Sequence, residues 1–374
     1  MKLFKSLLVA PATIGLLAPF TAFAGEANLN DISKYSNPEE IDLANAFVND
    51  EPNYNSLLAG GEGLVDSDSS NGGFSETTTA SFSVDATVGA IDGDATTEAT
   101  TFEYQFNIGL STSFTGEDSL DVAIDSGSDS ASTADNPMAF DTGAGLAVDG
   151  VTYSFPLGGL SMIVGADTDI SASYTGACTY SAFTDYMSNC GTGSSLGVGG
   201  GGVTATGSYA FDSGLSLAAG LSSKSDSGDG ILTKERTDSY GIEAAYTADS
   251  YGLAVAYVSA DNVDAAETTT WGINGTYSFD IADVSVGYET EETSGTEKTG
   301  YFVGLTFPEV GPGSVSIGAG TAANYADSET EYMVYEASYS YPVNDGLTIT
   351  PGVFVEEKSG DDLTGIMVKS SFSF

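Results

Sequence analysis

The sequence predicts an all-β fold: a transmembrane antiparallel β-barrel of about 16 strands, with short periplasmic turns and long extracellular loops. Three observations carry that prediction. From Phe74 to the last residue, apolar and polar side chains alternate with period two, which marks strands with one face in an apolar medium. The links between these strands alternate in length, and the strand entering each short link ends, on its apolar face, in an aromatic. A barrel closes every sheet edge, which lipid demands because it has no water to satisfy a bare backbone group.

The chain opens with MKLFKSLLVAPATIGLLAPFTAFA, where Lys2 and Lys5 precede an apolar stretch ending in Ala22-Phe23-Ala24. That is the form of a secretory signal, so residues 1-24 are expected to be cleaved after Ala24, and Pro11 and Pro19 argue against a spanning helix. Residues 25-73 are polar and irregular apart from Asn37-Pro38-Glu39-Glu40, followed by Ile41, Ala44 and Val48 at helical spacing. One short helix with proline at its first position is expected in this periplasmic segment. Residues 74-374 form the barrel.

Its alternation begins in Phe82-Val84-Ala86-Val88 and is clearest in Phe102, Tyr104, Phe106, Ile108 and Leu110, with Glu103, Gln105, Asn107 and Gly109 between them. Leu120-Val122-Ile124, Val151-Tyr153-Phe155 and Leu160-Met162-Val164 follow, and the pattern continues to Ile366-Val368-Ser370-Phe372-Phe374. Short links fall at 115-118, 156-159, 212-214, 247-250, 280-283, 308-313 and 342-346, and carry turn residues. Longer Asp, Glu, Ser, Thr and Gly segments such as 125-150, 167-199 and 222-237 lie between them. The aromatics at the short links are Phe114, Phe155, Phe211, Tyr246, Phe279, Phe307 and Tyr341, and the chain itself ends in Phe374. They predict a girdle at one membrane interface. Phe372 and Phe374 give the C-terminal strand the form of an outer-membrane assembly signal.

Composition removes other classes of function. With no histidine, the chain has no Ser-His-Asp or Cys-His unit and no His-bearing zinc site, and no enzyme is expected. Fifty-three acidic against nine basic residues, with Arg236 the only arginine, leave no footprint for nucleic acid. Asp226-Ser227-Gly228-Asp229-Gly230 and Asp361-Asp362 match no complete EF-hand loop, so neither metal nor cofactor is expected. Cys178 and Cys190, in an exported chain, are read as a disulfide.

FNIGLSTSFTGEDSLDVAIDSG, residues 106-127, resembles the strand-turn-strand hallmark of the carbohydrate-selective porin family in its cyanobacterial branch. Asn107, Thr112, Ser113, Phe114, Thr115, Gly116, Asp118 and Leu120 stand at matching positions. The leader, LNDISKYS after it, and VTYSFPLGGLSMIVGA (151-166) are similar to the same branch. The resemblance implies an outer-membrane porin, a water-filled channel for passive diffusion of ions and small hydrophilic solutes. That branch normally carries an S-layer-homology domain between leader and barrel. Here residues 25-73 occupy its place, so tethering to peptidoglycan by that domain is not expected.

Parity places Asp85, Glu103, Asp121, Glu243 and Glu336 on the inward face, with Lys369 the only strand cation to join them. An acidic lumen predicts weak cation preference. The loop 167-199 follows the fifth strand and is read as a constriction loop, with Asp167, Asp169 and Asp185 setting its charge, the Cys178-Cys190 bond stiffening it and glycines 199-202 letting it leave the wall. An exposed loop stabilised by its disulfide stands as the alternative. For the whole chain, a substrate-specific carbohydrate channel and a plugged structural or adhesive barrel also stay open. Expected partners are outer-membrane lipid and lipopolysaccharide, small solutes, the outer-membrane assembly machinery and, by analogy, two further copies in a homotrimer.

Overall fold

The computed structural model describes residues 77–93, 99–128, 140, 143–197, 202–223, 232–233, 237–261, 266–321 and 332–374. The signal segment, residues 25-73, the Asp226-Gly230 cluster and Arg236 lie outside the described residues. No helix among the described residues is long and apolar enough to cross a membrane.

Sixteen strands realise the alternation. They are β1 (Thr77–Asp92), β2 (Ala99–Ser113), β3 (Ser119–Gly127), β4 (Ala147–Leu157), β5 (Leu160–Thr168), β6 (Gly202–Ala210), β7 (Leu215–Ser223) and β8 (Asp238–Thr247). They continue with β9 (Tyr251–Asp261), β10 (Thr268–Ser278), β11 (Asp283–Thr293), β12 (Thr296–Val310), β13 (Gly313–Thr321), β14 (Met333–Asn344), β15 (Leu347–Glu356) and β16 (Leu363–Ser373). Each pairs antiparallel with its neighbours in sequence, and β1 with β16, closing the barrel. Val84 sits opposite Phe372, and Phe82 exchanges two 3.0 Å backbone hydrogen bonds with Phe374, so the last residue completes the seam. Two boundaries differ from the expectation. β3 runs on to Gly127, so Asp125 is a strand residue opposite Asn107. On the long-loop rim β11 and β12 join through Ser294 and Gly295 alone, both at positive φ, a two-residue hairpin turn.

The outward face is apolar and ringed twice. Besides the girdle at the short turns, a second set of aromatics runs near the other rim on β8, β9, β10, β12 and β14. Tyr240 and Tyr246, Tyr251 and Tyr257, Trp271 and Tyr277, Tyr301 and Phe307, and Tyr335 and Tyr341 are each six positions apart. Even spacing of this kind is what a band of lipid between two polar interfaces imposes on tilted strands.

The first short turn shows how one carboxylate shapes a link. Asp118 accepts hydrogen bonds from the Ser113 hydroxyl (2.8 Å), the Phe114 and Thr115 N–H groups (2.9 and 2.8 Å) and the Tyr153 hydroxyl (2.6 Å). The Tyr153 bond, opposed by desolvation and helped by the other donors, holds this carboxyl far below the usual carboxylate range. A depressed folded pKa gives stabilisation that is complete above the ordinary carboxylate value and is lost only as pH falls through the folded one. Amide exchange at Thr115 is therefore expected to stay slow down to about pH 4 and to quicken only below it; Asp118→Asn should quicken it at neutral pH as well.

Candidate functional site

Inside the barrel, the segment between β5 and β6 turns inward and lies against the wall. It contains two short 3₁₀ turns, Ile170–Ser173 and Asp185–Gly191, and the Cys178–Cys190 disulfide joins its outgoing and returning limbs. Three inward glutamates hold it. Glu243 on β8 accepts the N–H groups of Thr175 and Gly176, both at 2.7 Å. On β14, Glu336 accepts from Tyr180 Oη (2.9 Å), Phe183 N (2.8 Å), Thr184 N (2.8 Å) and Thr184 Oγ1 (2.6 Å). Glu289 on β11 accepts from Ser195 Oγ at 2.5 Å. A carboxylate taken out of water is tolerated when several donors replace its hydration, and charged acceptors make the stronger bonds. Burial, then the charge of Glu336, push the Tyr180 phenol well up, so it stays a donor. Asn274 and Thr276 of β10 add further bonds to Ala177 and Thr179.

The wall beneath the loop is carved to receive it. Inward positions there are often glycine, and a methyl group on any of them would run into the loop: Gly241 into Ile170 and Tyr174, Gly272 into Ser195, Gly287 into Cys190, Gly318 into Tyr180 and Gly352 into Phe183. Apolar contacts finish the seat. Tyr180, Met187 and Cys190 pack with Phe302 of β12 and Val334 of β14, and Leu196 packs on Ala245, Ala254 and Ala256. Phe183 joins a buried apolar cluster with Phe354 of β15, Leu363 and Met367 of β16, and Ile91 of β1.

Alternation and pairing place all five predicted wall acids, and Lys369, on the inward face, but their surroundings differ. Glu243 and Glu336 are 3 % exposed beneath the loop, so they anchor it instead of lining open lumen. Glu103 is buried on β2. Asp85, bonded by Ser371 Oγ, and Asp121 are half-buried. Lys369 does not stand alone, because Lys298 of β12 shares the inward parity opposite Glu291. Lys298, Glu289 and Asp125 join the expected residues on the inward face, where strand parity alone places them. Of the loop acids, Asp167 belongs to β5 and not to the loop, with positive φ at an irregular step in the pairing. Asp169 caps the first 3₁₀ turn through Ser171 N (2.7 Å), and Asp185 is exposed at the start of the second.

A closed sixteen-stranded barrel with a loop seated against its inner wall has the architecture of a membrane channel. A profile of Gram-negative porins matches residues 158–362, more than half of the chain. The chain belongs to the Gram-negative porins. Among solved structures, this porin is similar in fold to Pseudomonas putida OprB at high pH, with TM-score 0.64 and 11% identity over 79% of this chain and 94% of that one. An engineered mutant of Rh. blastica porin superposes with TM-score 0.52 and 14% identity, covering 80% of this porin and 100% of the other. No curated protein matches the sequence. Family and barrel together indicate an outer-membrane channel.

Proposed function

We propose that this porin passes ions and small neutral polar solutes by passive diffusion, with a weak preference for cations. The observation that supports this reading is the charge on the half-buried inner wall of β1 and β3. Asp85, Asp121 and Asp125 face inward there, with Lys369 of the adjoining β16 and no arginine among the described residues. A lumen lined by one sign of charge concentrates counter-ions and repels co-ions. Purified protein in a planar bilayer is expected to give discrete conductance steps. Its reversal potential under a KCl gradient should favour K⁺, more so as the bath falls from 1 M to 0.1 M and the Debye length grows from about 3 to about 10 Å. A reversal potential that favours chloride would reject the cation preference.

The same reading covers the parts of the chain around the pore. We read residues 1-24 as a signal peptide and residues 25-73 as a periplasmic segment, and place the chain with the cyanobacterial branch that its residues 106-127 resemble. Short turns face the periplasm and long loops the exterior, among lipopolysaccharide. Phe372 and Phe374 present the assembly signal to the insertion machinery, and three copies form a homotrimer, a closed symmetry that the detergent-solubilised mass would test.

A further inference from the structure

We propose that the long-loop rim of the barrel binds a hard divalent cation of the calcium class between Asp238, at the start of β8, and Asp261, at the end of β9. Both belong to the outward face: β8 presents Tyr240, Ile242 and Tyr246 outward, and Asp238 has the same parity. Antiparallel pairing sets Asp261 directly opposite Asp238 on one side and Ser223 of β7 opposite it on the other. Asp238 lies two positions beyond Tyr240, about 7 Å towards the rim. The pair therefore stands above the apolar band and outside the lumen.

An outward polar residue at this level is ordinarily wet, yet Asp238 is 7 % exposed and Ser223 1 %. The Leu232 N–H donates to Ser223 Oγ at 3.3 Å, bringing the returning loop over the strand ends. Under that cover Asp238 Oδ1 has no hydrogen-bond partner. Glu243, Glu289 and Glu336, by contrast, are each met by donors. Glu356, the other buried carboxylate with an unpartnered oxygen among the described residues, has Lys358 Nζ 3.0 Å from its Oε1. Two carboxylates directly opposite on neighbouring strands repel, and a buried charged oxygen without a donor adds a desolvation penalty. β7, β8 and β9 carry no lysine or arginine to relieve either.

One cation between the two acids removes both penalties. Side chains whose Cβ atoms are about 5 Å apart can reach the same ion. The donors are oxygens, and a chain with no histidine and no free cysteine offers nothing to favour a softer metal. Calcium accepts an irregular oxygen set and completes its shell with water. No three acids among the described residues form a ready-made metal centre, so binding is expected to be weak, with Kd of about 10⁻⁴ to 10⁻³ M as in extracellular calcium modules.

The test uses the folded full-length protein in detergent, with Tb³⁺ as a luminescent stand-in for calcium and Tyr240 placed to sensitise it. Emission excited through tyrosine is expected in the wild type and should be displaced by calcium, and Tyr240→Leu should dim it without moving the calcium midpoint. D238N/D261N should weaken calcium binding roughly tenfold or more, as loss of charged ligands does. Asp361→Asn, at an exposed acid elsewhere, should leave it unchanged. Calcium should also raise the wild-type thermal midpoint, a readout that needs no variant, while KCl of equal ionic strength should not. Wild-type affinity in D238N/D261N, undimmed emission in Tyr240→Leu, an equal thermal shift with KCl or no calcium response in the wild type would overturn the site. So would a response that arises only in Arg236→Gln, since that arginine would then be the counter-ion of the pair.

Discussion

Glu336→Ala is expected to raise single-channel conductance severalfold while leaving the barrel folded. Four donors converge on that carboxylate, from Tyr180, Phe183 and Thr184. Left buried without an acceptor, each would cost about 1–3 kcal/mol. The strand that carries Glu336 has its own ladder to β13 and β15 and does not depend on the loop. The cheaper outcome is that residues 180-184 lift off the wall and find water, widening the path. Glu336→Gln should fall between the two, because an amide oxygen still accepts but its NH₂ group faces donors. Conductance measured alongside protease cleavage within residues 180-190 checks the point. An alanine variant with wild-type conductance would mean that packing alone holds the loop.

The larger effect is expected from Gly287→Val. Even a bare methyl group at this position would collide with the carbonyl oxygen of Cys190, and a backbone atom cannot be swung aside as a side-chain tip can. Cys190 is also tied to Cys178, so displacement of one limb pulls on the other. The expectation is a loop expelled from its seat, seen as a conductance step at least as large as that of Glu336→Ala and a lowered thermal midpoint of the barrel. Gly193→Ala lies in the same loop with nothing within 4 Å of the added carbon, and it should behave as wild type. Matching behaviour of the two glycine variants would show that the seat tolerates movement and that the close packing of Gly287 carries no function.

Much of this was readable from residue order. The alternation fixed the strands because a wall with lipid outside and water inside imposes period two on every one of them. Phe114, Phe155 and their counterparts marked one rim for the same reason. The seat of the loop was harder to see. Glu243, Glu289 and Glu336 look in sequence like any inward acid, and what separates them from Asp121 is a segment 67 to 156 positions away, which no local pattern encodes. A signal was nonetheless present. Glycine recurs at inward positions of β8 to β15, where a polar residue would serve an open lumen better, and an inward glycine in a strand marks the close approach of another part of the chain. Lys298 escapes for a simpler reason: β12 starts five residues before its first aromatic, Tyr301, in a stretch with no apolar alternation to mark it.

Phe183 carries one more consequence, for how the molecule is made. Its ring belongs to one buried apolar cluster with Ile91 from the first strand and Leu363 and Met367 from the last, a cluster built across the seam where the two ends of the sheet meet. Those partners are more than 270 positions apart and become neighbours only at closure. The loop is synthesised about halfway through the chain, yet its resting place does not exist until the final strand has arrived. Its disulfide spans only a dozen residues and is free to form beforehand, giving a compact knob that waits for its socket. Sealing the cylinder and seating the knob are then one cooperative step, in which the last strand to insert is latched from within.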